Sequence, residues 1–157
     1  PVCWLSSLTP SENVQTPFLD VTWPARMDLS VAGEPIRYGG RAFSHGIGVH
    51  SRSRLSWALD GSYQSFRTQY AIDGDLPYAD VDVRILLDGK VVHETMSVKA
   101  HILSPVVTFD LGQAKSITLE VDFGAGDDVQ DRLNWIEPAL LRSPASSPAT
   151  EPSTKPE

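Results

Sequence analysis

The feature that most constrains this chain is a run of apolar residues at every second position, which recurs five times. Leu55, Trp57 and Leu59 alternate with Arg54, Ser56 and Ala58. Phe66, Thr68, Tyr70 and Ile72 form one side of the next run, followed by Val81, Val83, Ile85 and Leu87 with Asp82 and Arg84 between them. Val107, Phe109 and Leu111 repeat the pattern, and Ile117, Leu119, Val121 and Phe123 do so against Thr118, Glu120 and Asp122. Successive side chains of a strand point to opposite faces, so each run predicts a strand with one dry and one wetter face. Met27, Leu29 and Val31 make a weaker early strand, and no stretch sustains a helical period.

The turns agree. Asp88-Gly89 between two apolar runs predicts a hairpin, because Gly tolerates positive φ. Asp60-Gly61 and Asp73-Gly74 punctuate in the same way. Many short strands at regular spacing imply two sheets packed face to face, an all-β sandwich. From Ser143 onward the composition changes to Pro, Ser, Thr and charge. The expected organisation is one domain over residues 1–142 and a disordered linker or tail over 143–157.

Composition narrows the partners. With 157 residues, 41% of them hydrophobic, the chain has enough material for one core. A formal net charge of -7 makes phosphate backbones and anionic membrane surfaces poor partners. No apolar run approaches the roughly 20 residues of a membrane-spanning helix. Cys3 is the only cysteine, so there is no internal disulfide.

The middle of the chain reads Gly39-Gly40-Arg41-Ala42-Phe43-Ser44-His45-Gly46-Ile47-Gly48-Val49-His50-Ser51. Ile72-Asp73, Asp88-Gly89-Lys90, Gly124-Ala125-Gly126-Asp127-Asp128 and Asp131-Arg132-Leu133-Asn134-Trp135 follow, and Trp4-Leu5-Ser6-Ser7-Leu8 opens the chain. This order resembles the NPCBM family, also classed as carbohydrate-binding module family 51, over roughly residues 4 to 141. The resemblance implies a galactose-binding-like jelly roll and a non-catalytic module that recognises galactose-containing glycans. It also implies tethering to other domains of a longer extracellular or bacterial envelope protein, such as a glycoside hydrolase. The late motif departs from the family's Asp-His-Ala-Asp-Trp: Arg132 stands at the His and Asn134 at the second Asp.

These residue types suit a sugar. Carboxylates accept from hydroxyls, Arg, Asn and His donate to them, and a flat indole covers a C–H face. The expected carbohydrate site is His50, Asp73, Asp131, Arg132, Asn134 and Trp135, with the late motif on a loop at the sandwich rim. Trp135 is expected to stack while Asp131 and Arg132 grip hydroxyls. The alternative for Trp135, which precedes Ile136 and Ala139-Leu140-Leu141, is that it closes the core. His50 has the alternative of a hydrogen-bonded structural histidine, and Asp73 that of a turn cap.

Asp127 and Asp128, clustered with Asp131 after two glycines, suggest hard oxygen ligands for a structural Ca²⁺. No nucleophile elbow, P-loop, dinucleotide fingerprint or zinc-protease motif occurs, so an enzyme is not expected. The alternative to glycan binding is a protein-interaction or architectural sandwich that has lost its sugar site, which the altered late motif favours.

Overall fold

The computed structural model describes residues 2–19, 21–125 and 127–142. The predicted 143–157 tail lies outside the described residues. The chain runs through β1 (Val2–Trp4), β2 (Glu12–Gln15), β3 (Arg26–Met27), β4 (Ile36–Tyr38), β5 (Arg41–Phe43), β6 (Gly46–His50) and β7 (Ser53–Ala58). It continues through β8 (Ser65–Ile72), β9 (Val81–Leu87), β10 (Lys90–Val98), β11 (Val107–Asp110), β12 (Ser116–Phe123) and β13 (Arg132–Leu141). A 3-10 turn, Leu5–Ser7, follows β1.

Two large antiparallel sheets and the two-stranded β4–β5 hairpin result among the described residues. One has the order β11-β8-β13-β6-β3, with β1 also pairing β13; the other has the order β10-β9-β12-β7-β2. The alternating runs supply the layer between them. Leu55 and Trp57 from β7, Phe66, Tyr70 and Ile72 from β8, Val81, Val83 and Ile85 from β9, and Ile117, Leu119 and Val121 from β12 are all buried in one cluster. The β-sandwich predicted from the alternation is therefore the observed fold.

The opposite faces differ between the sheets. The outer face of the five-stranded sheet is charged: Arg54 bonds to Glu12 and Glu120, and Arg84 to Glu94, at 2.6 to 2.8 Å. Directly opposed charges stabilise a cross-strand row, each modestly because solvent screens them. The six-stranded sheet is instead partly covered by the β4–β5 hairpin, where Ile36 and Phe43 pack on Ala71 and Ile136.

At Asp88-Gly89 both residues have positive φ, 49° and 78°, and they join β9 to β10. That pair of conformations matches the twist of a two-residue hairpin. The weak early strand differs from expectation: only Arg26–Met27 is strand, while residues 29–31 cross above Gly48 of β6. Their backbone occupies the space where a Gly48 Cβ would lie, so this glycine serves close approach.

Candidate functional site

β13 runs between β8 and β6 in the six-stranded sheet. Antiparallel register sets Arg132 opposite His50 and Asn134 opposite Gly48 on β6. On the other side it sets Leu133 opposite Ile72 of β8. Asp73, the residue after β8, continues that register and donates its N–H to the Arg132 carbonyl at 2.8 Å. His50, Arg132 and Asp73 therefore form one row across three neighbouring strand ends. Residues directly opposed in a ladder share a sheet face. Asn134, two positions along β13, lies on the same face but is only 1% exposed, and it donates from Nδ2 to Asp73 Oδ1 at 3.0 Å, holding that carboxylate from beneath.

The same alternation sends the rest of the late motif inward, and this corrects three expectations. The motif is not a rim loop: from Arg132 onward it is a strand with neighbours on both sides. Trp135 is 0% exposed, edge-on to Tyr70 at 5.5 Å in the core, so it presents no ring face to a ligand. Asp131 is 1% exposed and its oxygens are engaged: Oδ2 accepts from the Ser51 hydroxyl at 2.7 Å and Oδ1 from the Asp80 N–H at 3.0 Å. It braces the turn after β6 against the segment leading into β9. Burial pushes its carboxyl up to about 7, partly opposed by the hydrogen bonds from Asp80 and Ser51.

The aromatic partner of the outward row comes from a residue the sequence reading passed over. Trp23, half-buried in the segment between β2 and β3, lies parallel to the His50 imidazole with centroids 5.3 Å apart. The Arg132 guanidinium carbon lies 5.0 Å from the same indole's centroid, within cation–π range. A signal was present: Val21-Thr22-Trp23-Pro24 places a large aromatic beside a proline where no alternation offers a dry face. His50 is nearly buried, and its Nδ1 sits 3.1 Å from the Ser51 carbonyl. A carbonyl only accepts, so Nδ1 is the donor in this contact. Arg132 Nε and Asn134 Oδ1 are buried without hydrogen-bond partners. Gln15, Thr16, Pro17, Trp23, His50 and Arg52 pack around a narrow seam here that holds no open volume, so a ligand would lie on the surface above it.

Asp127 and Asp128 stand apart from this row. Asp128 Oδ2 accepts from the Phe18 N–H at 3.4 Å, and Asp131, the third member of the expected cluster, has its oxygens committed elsewhere. Among the described residues no group of three or more His, Cys, Asp and Glu is arranged to hold a metal ion. The geometry thus lends no support to Ca²⁺ at Asp127 and Asp128.

The fold defines a β-sandwich module built of two facing antiparallel sheets. The NPCBM/NEW2 domain model matches residues 2–141, and the chain belongs to that family. No curated protein matches the chain. Among solved structures, a Clostridium perfringens ZmpB fragment, CBM51-2 and INT domains with GlcNAc, superposes with TM-score 0.81 and 24% identity over 90% of this chain. This chain spans 32% of that fragment's length. The Clostridium perfringens GH95 CBM51 in complex with methyl-galactose gives TM-score 0.77 at 20% identity, covering 90% of this chain and 100% of that one. Tandem CBM51 modules of a family 98 glycoside hydrolase from Streptococcus pneumoniae give 0.76 at 20% identity, covering 94% of this chain and 49% of theirs. At these identities the superpositions establish the shared fold.

Proposed function

We propose that the chain binds galactose-containing glycans through Arg132 and Asp73, with Trp23 as the aromatic surface and the buried His50 and Asn134 holding these groups in place. The observation that carries this reading is the convergence of Trp23, His50 and Arg132 from three separate parts of the sequence. Arg132 donates to sugar hydroxyls, Asp73 accepts from them, and the exposed part of Trp23 takes a C–H face. Among the structurally similar modules one is bound to methyl-galactose and another to GlcNAc, so the comparisons support a neutral sugar, and the galactoside rests on the resemblance of the sequence to its family. The module acts by concentrating attached domains at a glycan surface, outside the cell or on the bacterial envelope. Its similarity to single modules within longer chains supports that tethered arrangement.

A second reading, a protein-interaction sandwich without a sugar site, draws on the burial of Trp135 and Asp131, which removes two of the expected sugar contacts. A glycan array with the full 157-residue chain, repeated with Trp23→Ala, separates the two. The glycan reading expects terminal galactosides to bind and the still-folded variant to lose them. Absence of binding to every glycan overturns it in favour of the second.

A further inference from the structure

A larger cavity, about 500 Å³, shares no residue with the Trp23 row. It opens between β10 and β11, edge strands of the two sheets, and is bordered by Lys99, Ile102, Ser104, Pro105 and Val106. Its volume falls inside the roughly 300–1,000 Å³ range of small-molecule sites.

Its polar floor is built from three side chains of two strands. The Tyr70 hydroxyl reaches out of the core to within 2.8 Å of His93 Nε2 and 2.6 Å of Thr95 Oγ1. Burial holds His93 below its ordinary range and Tyr70 above its own, so both are neutral near pH 7. With the His93 proton on Nδ1, one hydroxyl donates a hydrogen bond to Nε2 and the other hydroxyl donates between the two oxygens. Lone pairs on Tyr70 and Thr95 remain for a ligand's donor. The walls are aliphatic: Val98, Ile102, Pro105, Val106 and Val107. Ile102 and Val106 are 60% and 56% exposed, an unusual concentration of open apolar surface beside a cavity.

The lining decides the class of ligand. Lys99, at an exposed position, is its one formally charged side chain. A neutral floor disfavours an ionised group brought out of water. Tyr70 is only 3% exposed, so no open aromatic face is available to a sugar ring. Branched aliphatic walls over hydroxyl and imidazole groups fit a compact hydrocarbon body with a hydroxyl at one end. We propose that this cavity is a second binding site, for an uncharged aliphatic alcohol group seated on the Tyr70–His93–Thr95 floor.

The test is an NMR titration of the full chain with 2-methylpentane-2,4-diol, followed through backbone amides and the His93 ring. The site predicts saturable shifts confined to Thr95, Ser97, Ile102, Ser104 and Val107 and to the His93 ring. Tyr70→Phe, which removes the floor hydroxyl, should weaken binding roughly fivefold, the worth of one hydrogen bond. Val106→Trp, at an exposed position, should close the mouth and abolish the shifts without unfolding the chain. Shifts that are absent, scattered, or unchanged in both variants overturn the proposal. Equal shifts at these amides with methyl β-galactoside would make the cavity a sugar site, and shifts on raising protein concentration alone would assign it to a second copy of the chain. Either result also overturns the proposal.

Discussion

The Trp23 indole and the His50 imidazole lie parallel, 9° apart in plane and 5.3 Å between centroids, although 27 positions separate them in sequence. His50 is fixed by its place on β6 and by its Nδ1 contact with the Ser51 carbonyl. Trp23 belongs to a segment outside the regular strands, so this contact and that of Arg132 position its ring. Replacing Trp23 by Ala should therefore cost little stability, about 1 kcal/mol for the lost ring and cation–π contacts. Glycan affinity should fall by at least tenfold. Thermal melting and binding measured on the same preparation check the two halves.

Trp135 should behave in the opposite way. It is fully buried, and its Nε1 has no hydrogen-bond partner, so its contribution is packing. Trp135→Ala should destabilise by about 3–5 kcal/mol through the cavity it leaves. Trp135→Phe should cost clearly less, since it gives up no hydrogen bond. Urea unfolding of the three proteins measures this, and a near-neutral Trp135→Ala would contradict the placement.

Asp131 predicts a pH dependence with a definite sign. Its carboxyl is raised in the folded chain from 3.8 to about 7, chiefly by burial. Between those values the folded state holds a proton that the unfolded state releases, so this group's contribution falls as pH rises from about 4 to 7. Asp131→Asn cannot ionise. The stability of the parent chain relative to that variant should decline across this window and level off above it. Denaturation at pH 4, 5.5 and 7 tests the slope; a flat difference contradicts it.

Gly48→Ala should destabilise by about 2 kcal/mol, because the added methyl meets the backbone of Leu29, Ser30 and Val31. The displaced residues 29–31 precede the β4–β5 hairpin, so weakened amide protection around Ile36 should accompany the loss. Hydrogen exchange on the variant reads this out.

Legibility followed the alternation. The runs through Leu55, Phe66, Val81 and Ile117 became β7, β8, β9 and β12 because each had a polar face to oppose its apolar one. β13 was hidden because it is buried on both faces over much of its length, and its residues do not alternate. Pro138 also argues against a strand interior, yet it is accommodated where the β13–β8 register shifts between Ile136 and Ala139. β10 was obscured similarly, by two register shifts that break its period against β9.

The candidate site was half legible for the same reason. The motif drew attention to Asp131, Arg132, Asn134 and Trp135 together, but a strand divides neighbours between its faces. Arg132 and Asn134 took the outer face of the sheet beside His50 and Asp73, where only Arg132 and Asp73 keep solvent access; Asp131 and Trp135 went to the core side. Trp23 could be marked as an aromatic outside any alternating run, but its pairing with His50 depends on how an irregular segment returns to the sheet, which no local pattern encodes.

The central claim is that a galactoside contacts Trp23 beside His50 and Arg132. The most direct measurement is titration of the chain with methyl β-galactoside while following the indole N–H signals of Trp4, Trp23, Trp57 and Trp135 by NMR. The account predicts a saturable shift of the Trp23 signal, with the core residues Trp57 and Trp135 unmoved, and its loss in Arg132→Ala. A Trp23 signal that stays fixed at saturating sugar, or a shift at Trp4 alone, would contradict it.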